Sequence, residues 1–214
     1  MKITTLEVAG FTPAFKGMRN PLDSWHLADS YTENGKFILG EKDKGLAQRL
    51  IKGGNEHAKF MRQIQVWADM NMPRYFWSEF DTYKFNTKNS CSTMHRLLNN
   101  TKPIILDLFT YCKEDVDLMN DAINKLETLR QIYKSDKTKQ KDKSGLLLRA
   151  KRLLPESFLQ LRTVNTNYAE LRNIYLQRRN HRLKEEWQDV FCGWLETLPY
   201  AKELIMYEEE SDKT

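Results

Sequence analysis

Apolar positions along the 214-residue chain change period several times, and each change marks an expected element. Residues 1–11, "MKITTLEVAGF", alternate as a strand does. Residues 12–43 lose any period and carry Gly, Pro and Asn punctuation in "KGMRNPLDS" and "TENGKF", which predicts irregular structure. From Leu46, "LAQRLI" reads as a helix and breaks at Gly53-Gly54. "NEHAKFMRQIQVWADM" then predicts a second helix, with Asn55 as its N-cap and Phe60, Ile64 and Trp67 along one face. Pro73, suited to a first helical turn, opens the aromatic-rich "PRYFWSEFDTY" as a third helix.

Residues 82–96, "TYKFNTKNSCSTMHR", are too polar for a core element. They are either a solvated loop or a polar pocket wall able to hold an anion. Val116, Met119, Ile123, Leu126, Leu129 and Ile132 recur at three- and four-residue intervals, the clearest helical pattern in the chain, over 112–133. Residues 134–143, "KSDKTKQKDK", hold five lysines, two aspartates and no apolar residue, and predict a mobile lysine-rich loop at about 134–144. After Gly145, "LLLRAKRLL" stops at Pro155, "SFLQLRTV" alternates as a strand, and 167–187 reads as one long helical region. The pattern as a whole predicts a single domain over 1–214, of α/β (α+β) class, with few strands and long helices.

Charge and cysteine content narrow the function classes. The net charge of +5 and pI near 9.0 favour anionic ligands: nucleotides, nucleic acid or a phosphorylated cofactor. The lysine run has no interleaved aromatic residue to stack bases, so nucleic acid is not the favoured partner. No apolar run approaches the roughly 20 residues that span a bilayer, so no membrane role is expected. Three cysteines without CxxC spacing suggest neither a disulfide framework nor a zinc site, and make a reducing cytoplasm the expected location.

The stretch "AKRLLPESFLQLRTVNTNYAELRNIYLQRRNHRLKEEW", residues 150–187, resembles the flavin-dependent thymidylate synthases (ThyX). Without a gap, Lys151 falls on that family's first arginine of the A-R-x-V-L-P segment, and Leu153-Leu154-Pro155 on its V-L-P. Asn173 falls on the helix asparagine, Arg178 on the helix arginine, and Glu186 on the final acid. The same placement puts Pro73 on the proline before the signature R-H-R-x-x-S-x-N-E-x-S-x-R, which then covers residues 82–94. Thr82, Tyr83 and Lys84 replace R-H-R, and Thr87 stands for the first serine. Asn89 and Ser92 match strictly, while Ser90 and Met94 replace the glutamate and the last arginine. Glu56-His57 matches an E-H pair upstream.

The resemblance implies a small, mostly antiparallel sheet flanked by long helices. It implies a homotetramer with shared sites that binds FAD and a pyrimidine deoxynucleotide such as dUMP. Methylenetetrahydrofolate and NADPH would serve as cosubstrates for methyl, or hydroxymethyl, transfer to the base. Ser92 and Arg178 would be the catalytic residues. His57, Lys84, Thr87, Asn89 and Asn173 would contact FAD, and Glu79, Ser92, Lys151 and Arg178 the nucleotide. Lysine and arginine suit a phosphate, the arginine with a bidentate fork. Six aromatics, Trp67, Tyr75, Phe76, Trp77, Phe80 and Tyr83, fall within seventeen residues and suggest that this segment lies near a subunit interface. The altered triplet leaves a second reading: a catalytically inactive protein of the same fold that binds a nucleotide or single-stranded nucleic acid.

Overall fold

The computed structural model describes residues 1–208. Strand β1 (Lys2–Ala9) leads into helix α1 (Phe11–Met18). Two short 3-10 turns and a hairpin of β2 (Tyr31–Glu33) and β3 (Lys36–Ile38) precede α2 (Glu41–Lys52). A 3-10 helix (Ala58–Gln63), β4 (Gln65–Pro73), α3 (Arg74–Phe80), β5 (Thr87–Ser90) and α4 (Thr93–Arg96) follow. Then come α5 (Val116–Lys134), α6 (Gln140–Leu153), β6 (Leu159–Asn167) and α7 (Tyr168–Arg178), with a π-helix at Glu185–Cys192. The main sheet is small and antiparallel, in the order β1-β4-β6-β5, and helices make up 53% of the fold, which is α+β as expected.

Two segments differ from their sequence pattern. The helix expected from Asn55 is a short 3-10 helix followed by β4. Phe60, Ile64 and Trp67 do carry a helical period, but Val66, Ala68, Met70 and Met72 carry a period of two and are all fully buried. A central strand has neighbours on both edges, and its buried alternate face outweighs the local helical signal. Within 12–43, the expected irregular region, α1 forms because Phe11, Ala14, Phe15 and Met18 bury one face. Gly10 permits the turn into it, with φ of 97° and space for no Cβ: one would lie 2.3 Å from the Gln63 carbonyl oxygen.

Other corrections are smaller. The lysine-rich segment is a turn only between α5 and α6, because α6 begins at Gln140. The long helix expected over 167–187 is two pieces, α7 and the π-helix, separated by a turn. Of the six aromatics in the segment, Phe76, Trp77, Phe80 and Tyr83 are buried within the chain, and Trp67 and Tyr75 are half-buried. Phe76, Trp77 and Phe80 are at most 1% exposed within the chain and pack on each other at ring centroid distances of 5.5 to 5.7 Å.

The chain forms two compact units. The first comprises residues 1–2, 70–82 and 89–162. Its apolar core joins Ile123, Leu126 and Leu129 of α5 to Leu146 and Ala150 of α6, with Leu98 and Phe109 filling the rest. The second comprises residues 3–69, 83–88 and those from Thr163 onward. An aromatic cluster of Phe11, Phe15, Phe37, Phe60, Tyr168 and Tyr200 organises it, with centroids 5.1 to 6.1 Å apart.

Candidate functional site

Four of the candidate residues, Glu79, Asn89, Ser92 and Lys151, belong to the first unit. Ser92 is the N-cap of α4, and the Arg96 amide donates to its carbonyl oxygen at 3.0 Å. One residue earlier, the Cys91 amide donates to the Leu161 carbonyl oxygen at 2.8 Å, which ties this loop to β6. This loop lines a cavity of about 290 Å³, whose polar lining is Ser92, Thr93, Arg96, Asn71, Asn100, Lys102 and Gln160 and whose apolar lining includes Phe158. The polar stretch 82–96 is therefore in part a cavity wall, through Cys91, Ser92, Thr93 and Arg96.

Gln160 is held from behind. Its Nε2 donates to the Cys91 carbonyl oxygen at 3.0 Å, and its Oε1 accepts from Arg162 at 3.3 Å. Arg162 makes two bonds to the Asp81 carboxylate, at 3.0 and 3.1 Å, and lies 4.4 Å from the ring centre of Trp77. The Gln160 amide is thus oriented by a charged pair rather than by solvent.

Lys151, in the last turn of α6, donates from Nζ to Thr93 Oγ1 at 2.5 Å. Burial pushes its ammonium pKa down, and the Arg74 charge pushes it the same way, against a smaller opposing pull from Glu156. Glu79 sits half-buried on α3 and Asn89 is exposed on β5; neither is among the residues lining this cavity. In the first unit the structure therefore brings Ser92 and Lys151 to a common neighbour, Thr93, and leaves Glu79 and Asn89 outside the cavity wall.

The other five candidates, His57, Lys84, Thr87, Asn173 and Arg178, belong to the second unit. Asn167 caps α7 by accepting from the Glu170 amide at 3.0 Å, which sets the helix that carries Asn173 and Arg178. Asn173 lines a cavity of about 370 Å³ together with Asn55, Arg62, Phe85, Glu170 and Leu176. Arg178 serves another side of the helix. Its Nε donates to the Tyr83 hydroxyl at 2.8 Å, and its guanidinium lies 4.6 Å from the Trp187 ring centre and 5.6 Å from that of Tyr83. The separation agrees with five positions on a helix, about 140° of rotation.

His57, Lys84 and Thr87 are exposed and are not among the residues lining this cavity. His57 precedes the 3-10 helix, and its ring packs against Gly53. The basic residues on either side of Asn173 do not form one evenly charged helix face. Arg179 pairs with Glu208, while Arg172 donates to the carbonyl oxygens of Ile205 and Tyr207 at 3.0 and 2.6 Å.

Sequence reasoning missed Thr93, Arg96, Gln160 and, in the second unit, Arg62. A signal for Arg96 was present. Met94 and Arg96 are two positions apart, about 200° around a helix, while Ser92 and Arg96 are about 40° apart. Once α4 forms, Met94 faces outward at 56% exposed and Arg96 shares the cavity side with Ser92.

The fold as a whole matches solved structures. ThyX from Helicobacter pylori complexed with FAD and dUMP superposes with a TM-score of 0.71 and 18% identity, covering 95% of this chain and 98% of that one. This chain has the ThyX fold. A second Helicobacter pylori ThyX structure with FAD and dUMP gives a TM-score of 0.70 at 18% identity, covering 95% of each chain. The UMP/dUMP methylase PolB from Streptomyces cacaoi, bound with 5-Br dUMP, gives 0.59 at 17% identity, covering 94% of this chain and 93% of that one. No protein-family model and no curated protein matches the sequence. The ThyX likeness is one of fold, on a sequence in which most signature residues have changed.

Proposed function

We propose that this ThyX-fold chain binds a pyrimidine deoxynucleotide such as dUMP and FAD, and transfers a methyl or hydroxymethyl group to the base. Methylenetetrahydrofolate would be the carbon donor and NADPH the reductant. The observation that carries the reading is the α4 cavity: Ser92, Thr93 and Arg96 line it, and Lys151 bonds to its wall. Two hydroxyls, three side-chain amides and the cations Arg96 and Lys102 beside apolar residues suit a phosphorylated pyrimidine, and the volume is near the small end for ligand pockets. Ser92 and Gln160 would give the base its directional contacts, and Lys151 with Arg96 would balance the phosphate charge.

The residues of the second unit fit a flavin. Asn55, Arg62 and Asn173 supply polar contacts beside Phe85 and Leu176, which is the mixed apolar and polar bed an isoalloxazine needs. Bound there, FAD would supply hydride transfer. Lys84 and Thr87, exposed on the same unit, would reach its outer, phosphate-bearing part. Arg178 as a nucleotide contact, Asn89 and His57 as flavin contacts and Glu79 as a base contact rest on the sequence resemblance alone.

The reading includes a homotetramer in a reducing cytoplasm, the latter in keeping with the free thiols of Cys91, Cys112 and Cys192. The test is flavin content together with nucleotide titration. Protein from a flavin-replete host should carry FAD or take it up stoichiometrically, and dUMP should bind the loaded protein. Colourless protein that ignores added FAD yet binds dUMP would favour the second reading, a nucleotide-binding protein without turnover. Lack of binding to both would end both readings.

A further inference from the structure

We propose that Arg162, anchored by Asp81, is a positioning residue for base specificity. It holds the Gln160 amide with its nitrogen toward the α4 cavity, and so selects a pyrimidine with a carbonyl rather than an amino group at ring position 4. The inference rests on the pyrimidine nucleotide reading above and deepens it. Neither Gln160 nor Arg162 is among the motif positions that carry the ThyX resemblance.

The orientation follows from two neighbours that each have a single hydrogen-bonding role. A guanidinium only donates, so its contact at 3.3 Å must be to Gln160 Oε1. A main-chain carbonyl only accepts, so the Cys91 contact at 3.0 Å must come from Nε2. A flipped amide would set oxygen against oxygen and N–H against N–H. Arg162 is fixed in turn by two bonds to the Asp81 carboxylate, at 3.0 and 3.1 Å, and by the Trp77 ring, 4.4 Å from the guanidinium. Trp77 Nε1 donates to the main-chain carbonyl oxygens of Gln160 at 2.9 Å and Met72 at 3.1 Å, so the ring is pinned as well.

Cys91 lines the cavity with Gln160, whereas Arg162 and Asp81 do not, so the nitrogen end of the amide is the one at the cavity wall. Cys91 uses one of the two N–H groups on Nε2, and the second is left to donate. The cations of the lining, Arg96 and Lys102, also only donate, and no carboxylate among the described residues lines the cavity. Uracil offers such a wall a carbonyl oxygen at position 4. Cytosine offers an amino group there, which meets an N–H and goes unpaired. An amide free to turn over would present Oε1 to that amino group and accept either base. Arg162 prevents the turn.

The experiment measures dUMP and dCMP affinities of the full chain, with FAD supplied, by calorimetry. The parent prefers dUMP by about tenfold or more, the scale of one unpaired buried polar group. Arg162→Met keeps an apolar stem over Trp77 and removes the fork. In it dCMP binds more tightly than to the parent, and the ratio of the two affinities falls toward unity. A gain in dCMP affinity is a readout that a merely damaged fold does not give. Arg162→Lys, which restores a donor but not the fork, recovers part of the ratio. Gln160→Leu, which pairs with neither base, loses the preference without any gain for dCMP. Asp81→Asn alters a side chain 44% exposed, loosens the fork and lowers the ratio by less, so it carries the test if Arg162→Met fails to fold. A parent that binds both nucleotides equally, or an Arg162→Met, Asp81→Asn or Gln160→Leu protein that keeps the parent's ratio, overturns the inference and leaves the nucleotide reading standing. A parent that binds neither nucleotide ends both.

Discussion

Arg178 Nε donates to the Tyr83 hydroxyl at 2.8 Å, and Tyr83 in turn donates to Gln177 Oε1 at 3.2 Å. An arginine held this way, with its plane against Trp187, keeps its fork in one orientation and loses little rotamer freedom when a ligand arrives. Tyr83 stands where the ThyX signature has a histidine. The substitution retains a ring with a hydrogen-bonding group, now used to position Arg178.

The first prediction follows from that relationship. Arg178→Ala should lower dUMP affinity by about thirtyfold to a hundredfold, the value of a charge-assisted contact of roughly 2 to 3 kcal/mol. Arg178→Lys should recover only part of this, because the planar fork is lost. Tyr83→Phe, which leaves the charge but frees its orientation, should cost less than Arg178→Ala. Arg179 cannot serve as a silent control, because it pairs with Glu208; exposed Arg182→Ala is the suitable one. Calorimetric titration of the set checks this, and unaltered binding by Arg178→Ala would remove Arg178 from the nucleotide site.

A second prediction concerns acid stability. Arg130 makes two bonds to the Glu127 carboxylate, at 2.7 and 2.6 Å, and the pair holds the Glu127 pKa down to about 2. The folded value lies below the unfolded one, so the stabilisation is full above the ordinary glutamate pKa of 4.5 and is lost as pH falls from there toward 2. The effect is at most on the order of 3 kcal/mol. Arg130→Met should flatten the pH dependence of urea unfolding between those limits and leave the slope above pH 5 unchanged. A parent and variant with parallel profiles would show that the pair contributes nothing.

The third prediction is steric. Gly10→Ala would place a methyl 2.3 Å from the Gln63 carbonyl oxygen at φ of 97°. The strain and the clash together should cost on the order of 3 kcal/mol. For a chain of this size that is roughly a 6 to 12 °C fall in Tm. Gly54→Ala has the same φ of 97° but nothing within 4 Å of the new methyl, so it should cost only about 1 to 2 kcal/mol. Equal losses in a calorimetric scan would show that backbone strain alone matters at both positions.

The fourth prediction addresses assembly. Phe76, Trp77 and Phe80 are buried within the chain, so of the aromatic segment only the half-buried Trp67 and Tyr75 offer ring surface to a partner, and the proposed tetramer rests on the ThyX resemblance. Light scattering at micromolar concentration should give four times the chain mass of 25.4 kDa. A monomer would remove the shared-site arrangement.

The sequence by itself determined the elements whose burial is written in one period. α5 and β6 lie within a few residues of their expected bounds, because Ile123, Leu126 and Leu129 repeat on a helical face and Val164 and Thr166 alternate on a strand. Of the residues the resemblance named, Ser92 and Asn173 line cavities and Lys151 bonds a wall residue, while His57, Glu79, Lys84, Thr87, Asn89 and Arg178 line neither of the two. Tertiary structure decided the rest. The segment 58–73 holds a helical period and a two-residue period together, and only its place between β1 and β6 selected the strand. A pattern of side chains cannot rank two periods when the energy that separates them comes from hydrogen bonds and packing with distant strands. The same holds for charge. Met94 stands where the resemblance has an arginine, and α4 sets Arg96, not Met94, on the cavity lining. Which charges meet depends on distances between residues far apart in sequence, such as Arg162 and Asp81, and those are set only when the core has closed around them.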